Sequence, residues 1–208
     1  MSVEERELRA DARRNRERLI EAAQTLFRER GLDVSVAEIA EAAGVGRGTL
    51  FRNFASKEDL IEAIVAERMY EAAAYGDELL QAEDPGAALF DFLAHMVGTQ
   101  QLDRALFEAL DETWLGKDVI RPAHHAVLDV VERLLARAQE AGAVRGDVGA
   151  MDILMMFKGA CAAAASYAQV DPAAMERHLD LIRASVRPAP GEPPLRGRVL
   201  TLEDLGLG

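Results

Sequence analysis

The sequence has a single cysteine, Cys161, among its 208 residues. That excludes an intrachain disulfide framework and a multi-thiolate metal site, and it suits a reducing compartment. A long apolar run is also missing. The longest stretch free of Asp, Glu, Lys and Arg is Gly159 to Val170, twelve residues, whereas a helix spanning a bilayer takes about 20. The N-terminal MSVEERELRADARR carries too much charge to hold the apolar core of a signal peptide, so the expected location is cytoplasmic, with no membrane partner. Nor is there an excess of base. With 24 basic against 36 acidic residues the formal charge is −12, which excludes a uniformly basic nucleic-acid coat and leaves room only for local contact with a polyanion.

What is present is a globular composition, 50% hydrophobic and 29% charged, in a chain long enough for a compact body with an appended small domain. The charge is uneven. Met1 to Arg68 holds 12 basic and 14 acidic residues, and Met69 to Gly208 holds 12 and 22, so the acidity belongs to the C-terminal part. Two basic islands lie in the first part: Arg9 to Arg30, with seven arginines against four acids, and Gly44 to Lys57, with Arg47, Arg52, Lys57 and no acid. The first alone reads as a solvated helix face; the second coincides with a motif.

The periodicity is helical throughout, and the expected fold class is all-α. Leu19, Ala22, Ala23, Leu26 and Phe27 define a helix from Arg13 to Arg30, stopped by Gly31. Ser35 and Glu38 form a capping box for a short helix with Val36, Ile39, Ala40 and Ala43 inside, ended by Gly44. A third helix covers 47–54. Ser56 and Asp59 open a long one to Leu80, about 35 Å at 1.5 Å per residue, long enough to link two lobes. Asp84 and Pro85 open a helix through Phe92 and Met96, and a shorter one follows through Leu106, Phe107 and Leu110. Pro122 starts an amphipathic helix bearing Val127, Val130, Val131, Leu134 and Leu135; Asp147 is the expected cap of an apolar helix from Ile153 to Ala168; Asp171 and Pro172 open the last, bearing Met175, Leu179, Ile182 and Val186. Four of the seven prolines fall in 188–208, which reads as an extended tail with one turn after Thr201.

The second and third helices have the spacing of a helix-turn-helix. Ala40 is small where two helices cross closely, Gly44 turns the chain, and Leu50 plugs the core between them. An ordinary helical hairpin has the same spacing; the outward Arg47, Thr49, Arg52 and Lys57 shift the weight to DNA. The stretch VAEIAEAAGVGRGTLFRNFASKEDL resembles the N-terminal domain of the TetR (tetracycline repressor) family of transcriptional regulators, which commonly reads IA..AGVS.GTLY.HF..KE.L there. The body resembles that family in its helix count, its long fourth helix and an AGAVRGD turn. The resemblance implies a homodimer, a double-stranded DNA operator, a small-molecule effector, and no catalysis or cofactor. It also implies three regions: a DNA-binding domain over 1–55, a ligand-binding and dimerisation domain over 56–187 with 56–80 as connector, and the tail over 188–208. Carried over by position, the DNA-contacting residues are Ser35, Arg47, Gly48, Thr49, Phe51, Arg52, Asn53 and Lys57. Arg47 suits a guanine edge, Thr49 a thymine methyl or a phosphate, and Arg52, Asn53 and Lys57 phosphates. Gly46, Phe51 and Asn53 depart from the family's usual serine, tyrosine and histidine; Phe51 keeps the ring without the hydroxyl, and is assigned to packing and sugar contact.

In the body, small residues from Gly159 to Ser166 make a helix face that admits close approach. With the stripe of the last helix, it forms a self-complementary patch for a dimer through the helices near 150–168 and 172–187. Phe92, Met96, Phe107, Leu110, Trp114, His124, His125, Leu128 and Phe157 are the candidates to line an effector cavity, which their character makes apolar or aromatic. Each taken singly is more at home in a plain core. His124 and His125 have only Asp129 at metal-ligand spacing, so no metal is expected. An enzyme built on His95, His124, His125 or Cys161 has no nucleophile elbow or phosphate loop to support it. A chromosome-organising protein without an effector remains the alternative within DNA binding.

Overall fold

The computed structural model describes residues 3–102, 117–167, 171, 173–191, 193–201 and 204. Within them the chain forms α1 (Val3–Arg30), α2 (Val36–Ala42), α3 (Arg47–Asn53), α4 (Lys57–Leu79), α5 (Pro85–Leu102), α6 (Arg121–Glu140), α7 (Ala150–Tyr167) and α8 (Ala174–Ser185). No strand occurs among the described residues, and none of these helices is long and apolar enough to cross a membrane. The chain divides into two compact units, Met1–Arg68 with Gln100–Ile120, and Met69–Thr99 with Arg121–Gly208. The helix expected through Leu106, Phe107 and Leu110 lies outside the described residues.

In the first unit α1 starts well before the expected Arg13. No apolar period marks that extension, but its Ala, Arg, Glu and Leu are strong helix formers, and ion pairs Arg14–Asp11 and Arg13–Glu17 link successive turns. Further along, buried Leu19, Ala23 and Phe27 turn the helix towards α2 and α3. Both bonds of the Ser35–Glu38 capping box are formed. Gly44 then ends α2 with φ +66°, a left-handed value that a side chain would strain. Ile39, Ala40 and Leu50 are buried to 2% exposure or less, so the small-glycine-apolar spacing closes a real core. At the head of α4 the Asp59 N–H donates to Ser56 Oγ at 3.0 Å and the Ser56 N–H donates to the Asp59 carboxylate at 3.2 Å. Glu62 is buried on α4 and would be costly unpaired; Lys117 holds its carboxylate.

The second unit packs α5, α6, α7, α8 and the end of α4 around Phe92, Leu93, Val130, Val131, Leu134, Ile153 and Phe157. Gly76 permits that packing, since a Cβ there would stand 2.7 Å from Val130 and 3.0 Å from Phe92. The Arg137 guanidinium donates to the Leu80 and Ala82 carbonyls and so satisfies acceptors that the end of α4 leaves open. Asp84 accepts the Ala87 N–H at 3.0 Å, as an N-cap of α5 should.

Two expected caps are corrected. Asp147 does not cap α7; Asp152 does, accepting the Gly149 N–H at 2.9 Å. Asp147 instead takes two bonds from the Arg145 guanidinium and the Leu195 N–H at 2.7 Å. Arg145 first and Leu195 second hold its carboxyl down at about 2. Asp171 does not open α8 directly. Its side chain accepts the Ala173 N–H and its carbonyl the Ala174 N–H, making a turn after which the helix starts at Ala174; Pro172 lies outside the described residues. The proline-rich segment after α8 lies along the body, with Pro193 accepting from Arg145 and Val199 filling the space beside Gly149. Its turn after Thr201 is closed by Asp204, which binds Arg198 and the Thr201 N–H.

Candidate nucleic-acid interface

The third helix is seven residues long and contains no acid. Leu50 anchors it at 0% exposure, which turns Arg47, Gly48, Phe51 and Arg52 outward and leaves Thr49 and Asn53 half-buried at the edges. Phe51 exposes half its surface, a large apolar ring on a face that otherwise carries arginines. A Cβ on Gly46 or Gly48 would meet nothing within 4 Å, so the protein's own packing demands glycine at neither. With Gly46 at the N-cap no side-chain oxygen caps α3, and the Gly46 carbonyl takes the Thr49 and Leu50 N–H groups.

Arg52, Asn53 and Lys57 are tethered rather than loose. Arg52 donates to Thr49 Oγ1 at 3.0 Å and Asn53 donates to the Thr49 carbonyl at 2.8 Å, so both side chains lie back along the helix. Lys57 donates to the Leu32 carbonyl and stands 5.7 Å from the Phe27 ring centroid. An ammonium has three donors, so one such bond leaves others for a phosphate. Ser35 is engaged in its cap, its hydroxyl donating to Glu38 at 2.7 Å. Glu38 is held down at about 2 by its bonds from the Ser35 backbone and hydroxyl, then by Arg30. Two contributors leave little trace in the sequence. Arg30 binds Glu38 at 2.5 Å, and nothing local marks a partner eight residues away. Arg16 lies 4.4 Å from the ring centroid of Phe54, which caps α3; its one signal is its position four residues before buried Ile20.

Of the candidate effector residues, Phe92, Leu128 and Phe157 belong to one apolar cluster at 3% exposure or less, with Met96 packed against it. His124 and His125 are half-buried at the start of α6. Burial, and then the neighbouring charges of Lys158 and His125, push the His124 imidazole below its ordinary value. Phe107, Leu110 and Trp114 lie outside the described residues. Burial raises the Cys161 thiol to about 11, and its ordinary reactivity falls accordingly. His95 stacks on Tyr75 with centroids 4.1 Å apart. Among the described residues no three His, Cys, Asp or Glu side chains gather as a metal site would require. On the outer side of α7 and α8, Met155 and Leu181 are more than half exposed beside an apolar groove formed by Met156, Gly159, Ala163 and Ile182.

Comparison with known proteins accounts for both units. Residues 19–64 match the family model of bacterial regulatory proteins of the tetR family, and 84–188 match the C-terminal domain of SbtR-like transcriptional regulators. The crystal structure of a TetR regulatory protein from Mycobacterium vanbaalenii is 36% identical, covers 87% of this chain and 99% of that one, and superposes with a TM-score of 0.62. The Thermus thermophilus repressor FadR, solved in complex with lauroyl-CoA, is 26% identical over 86% of this chain and 99% of its own, with a TM-score of 0.55. An HTH-type transcriptional regulator of Staphylococcus aureus is 42% identical over 59 residues; the match spans 28% of this chain and only 32% of that curated relative. The helix-turn-helix on its closed core, the helical body and the match along nearly the whole of the mycobacterial protein lead to one conclusion: this chain is a DNA-binding transcriptional regulator of the TetR family.

Proposed function

We propose that the chain works as a homodimeric repressor released from an inverted-repeat operator by a small apolar or aromatic effector. The observation that carries this reading is the acid-free outer face of α3, fixed by Leu50 on a protein whose net charge is −12. Arg47 reads a base edge, Thr49 a thymine methyl or a phosphate, Phe51 packs on sugar, and Arg52, Asn53 and Lys57 hold phosphates. Ser35 and Gly48 border that contact, the first through its place at the head of α2 and the second by leaving room. The α7–α8 groove supports dimerisation, because a second copy laid across Met155 and Leu181 buries apolar surface that is otherwise in water. DNA recognition is expected to separate by residue. Arg47→Ala relaxes base preference, since a bidentate base contact is worth about 1 to 3 kcal/mol, whereas Lys57→Ala weakens all sequences alike. Selection from a random-sequence duplex pool checks this, and one consensus shared by both variants and the unaltered chain refutes the assignment.

The effector site is assigned to the second unit, around Phe92, Met96, His124, His125, Leu128 and Phe157; Phe107, Leu110 and Trp114, expected from the sequence, lie outside the described residues. FadR's complex with lauroyl-CoA supports an apolar chain as one class of occupant. The long α4 begins beside α3 and ends in the body, which makes it the mechanical link between effector and DNA. Release requires that the effector bind the DNA-free conformation more tightly, because equal affinity for both shifts nothing. A thermal-shift screen of aromatic and acyl compounds, followed by DNA binding with each hit, is the test. Hits that raise the melting temperature and lower DNA affinity are expected; hits that stabilise without touching DNA affinity favour an effector-independent DNA-binding protein.

A further inference from the structure

The face of α1 that packs on the helix-turn-helix is a regular series. Ile20, Ala23 and Phe27 are buried and spaced by three and four residues. Followed towards the N-terminus, the same alternation of four and three lands on Arg16, Arg13, Arg9 and Arg6, without a break. The packing stripe of α1 thus becomes an arginine stripe where the body ends: among the described side chains of α1, none before Leu19 is buried, and Arg6 and Arg13 are exposed. Glu4, Glu7 and Asp11 fall on the opposite side of the helix, together with Arg14 and Arg18, so that side mixes both signs while the stripe itself is arginine alone. Glu5 and Glu17 flank the arginine stripe, and Glu17 holds Arg13 at 3.6 Å in a solvent-exposed pair, an interaction weak enough for a phosphate to replace. Arg16, the inner end of the stripe, lies over Phe54 at the C-cap of α3. From there to Arg6 the helix rises about 15 Å.

We propose that the N-terminal half of α1 is a second DNA-contacting element, a helical arm that lays Arg6, Arg9 and Arg13 along phosphates flanking the segment bound by α3. The inference rests on α3 binding DNA. Duplex DNA is the partner because the stripe continues from the α3 cap and because phosphates, spaced about 3.4 Å along the axis in each strand, offer acceptors all along the arm. Such contacts carry no base preference; they lengthen the bound segment and add to salt sensitivity.

The experiment is a triple variant, Arg6→Ala with Arg9→Ala and Arg13→Ala, in the full chain. Alanine is the strongest helix former, so the arm stays helical, which circular dichroism checks. Both proteins are titrated across a potassium chloride series with one duplex selected from a random pool by the unaltered chain, and the complexes are footprinted. The slope of log affinity against log salt is expected to become shallower by about 0.9 for each phosphate that the variant no longer neutralises, roughly 2 to 3 per chain, and the footprint to shorten at its outer edges. The corresponding triple Lys variant keeps both, since a point charge suffices. Unchanged slope and footprint in an Ala variant that still binds overturn the arm alone. Failure of the unaltered chain to bind any duplex overturns the α3 reading and the arm with it.

Discussion

DNA affinity is expected to fall steeply with salt, by roughly a thousandfold to a hundred-thousandfold between about 50 and about 200 mM, the range for six to ten neutralised phosphates. With Arg47 on a base edge, Arg52 and Lys57 supply two phosphate-binding cations at each reading head, four in a dimer, and Arg6, Arg9 and Arg13 of the two α1 arms raise the total to ten. Each ion released on binding adds entropy that dissolved salt takes away. The acidic body acts in the opposite sense. Its repulsion is long-ranged only at low ionic strength, because at about 0.15 M the screening length is about 8 Å. Raising salt therefore relieves some repulsion while removing the larger counterion-release gain. Fluorescence anisotropy with a selected duplex measures the slope, and a flat response refutes binding through phosphate contacts by these local basic groups.

The largest loss of stability is expected from Phe92→Ala. Phe92 is at 0% exposure, and its ring lies where a side chain on Gly76 would stand, so neighbouring helices already meet around it without slack. Removing the ring forfeits its transfer energy and leaves a cavity, about 3 to 5 kcal/mol. At about 2 to 4 °C per kcal/mol for a chain of this size, the melting temperature drops on the order of 10 °C. Phe51→Ala, by contrast, removes a half-exposed ring on α3 and is expected to leave stability within about 0.5 kcal/mol. Thermal denaturation of the two variants separates the cases. A Phe92→Ala loss below about 1 kcal/mol would mean that the ring borders open space, and it would strengthen the assignment of Phe92 to an effector cavity rather than to the packed core.

Features that depend on residues within a few positions of one another are legible in the sequence. The Ser35–Glu38 and Ser56–Asp59 caps are bonds across three residues, and the left-handed Gly44 and the buried Ala40 and Leu50 lie within one short motif. A cap or a turn chooses its partner locally, so its residues announce it. The extension of α1 is not legible from apolar period, since among its described side chains none before Leu19 is buried and no core imposes a period. Asp147 looks like a cap for the same local reason that Ser35 does, yet it serves Arg145 and Leu195, the latter 48 residues away. Lys57 is bound to Leu32, 25 residues back, and Arg16 to the ring of Phe54. Pairings of this kind are settled by the folded chain alone. A carboxylate, ammonium or guanidinium bonds whichever acceptor, donor or ring the returning chain brings within reach, and spacing along the sequence carries no record of where that return occurs.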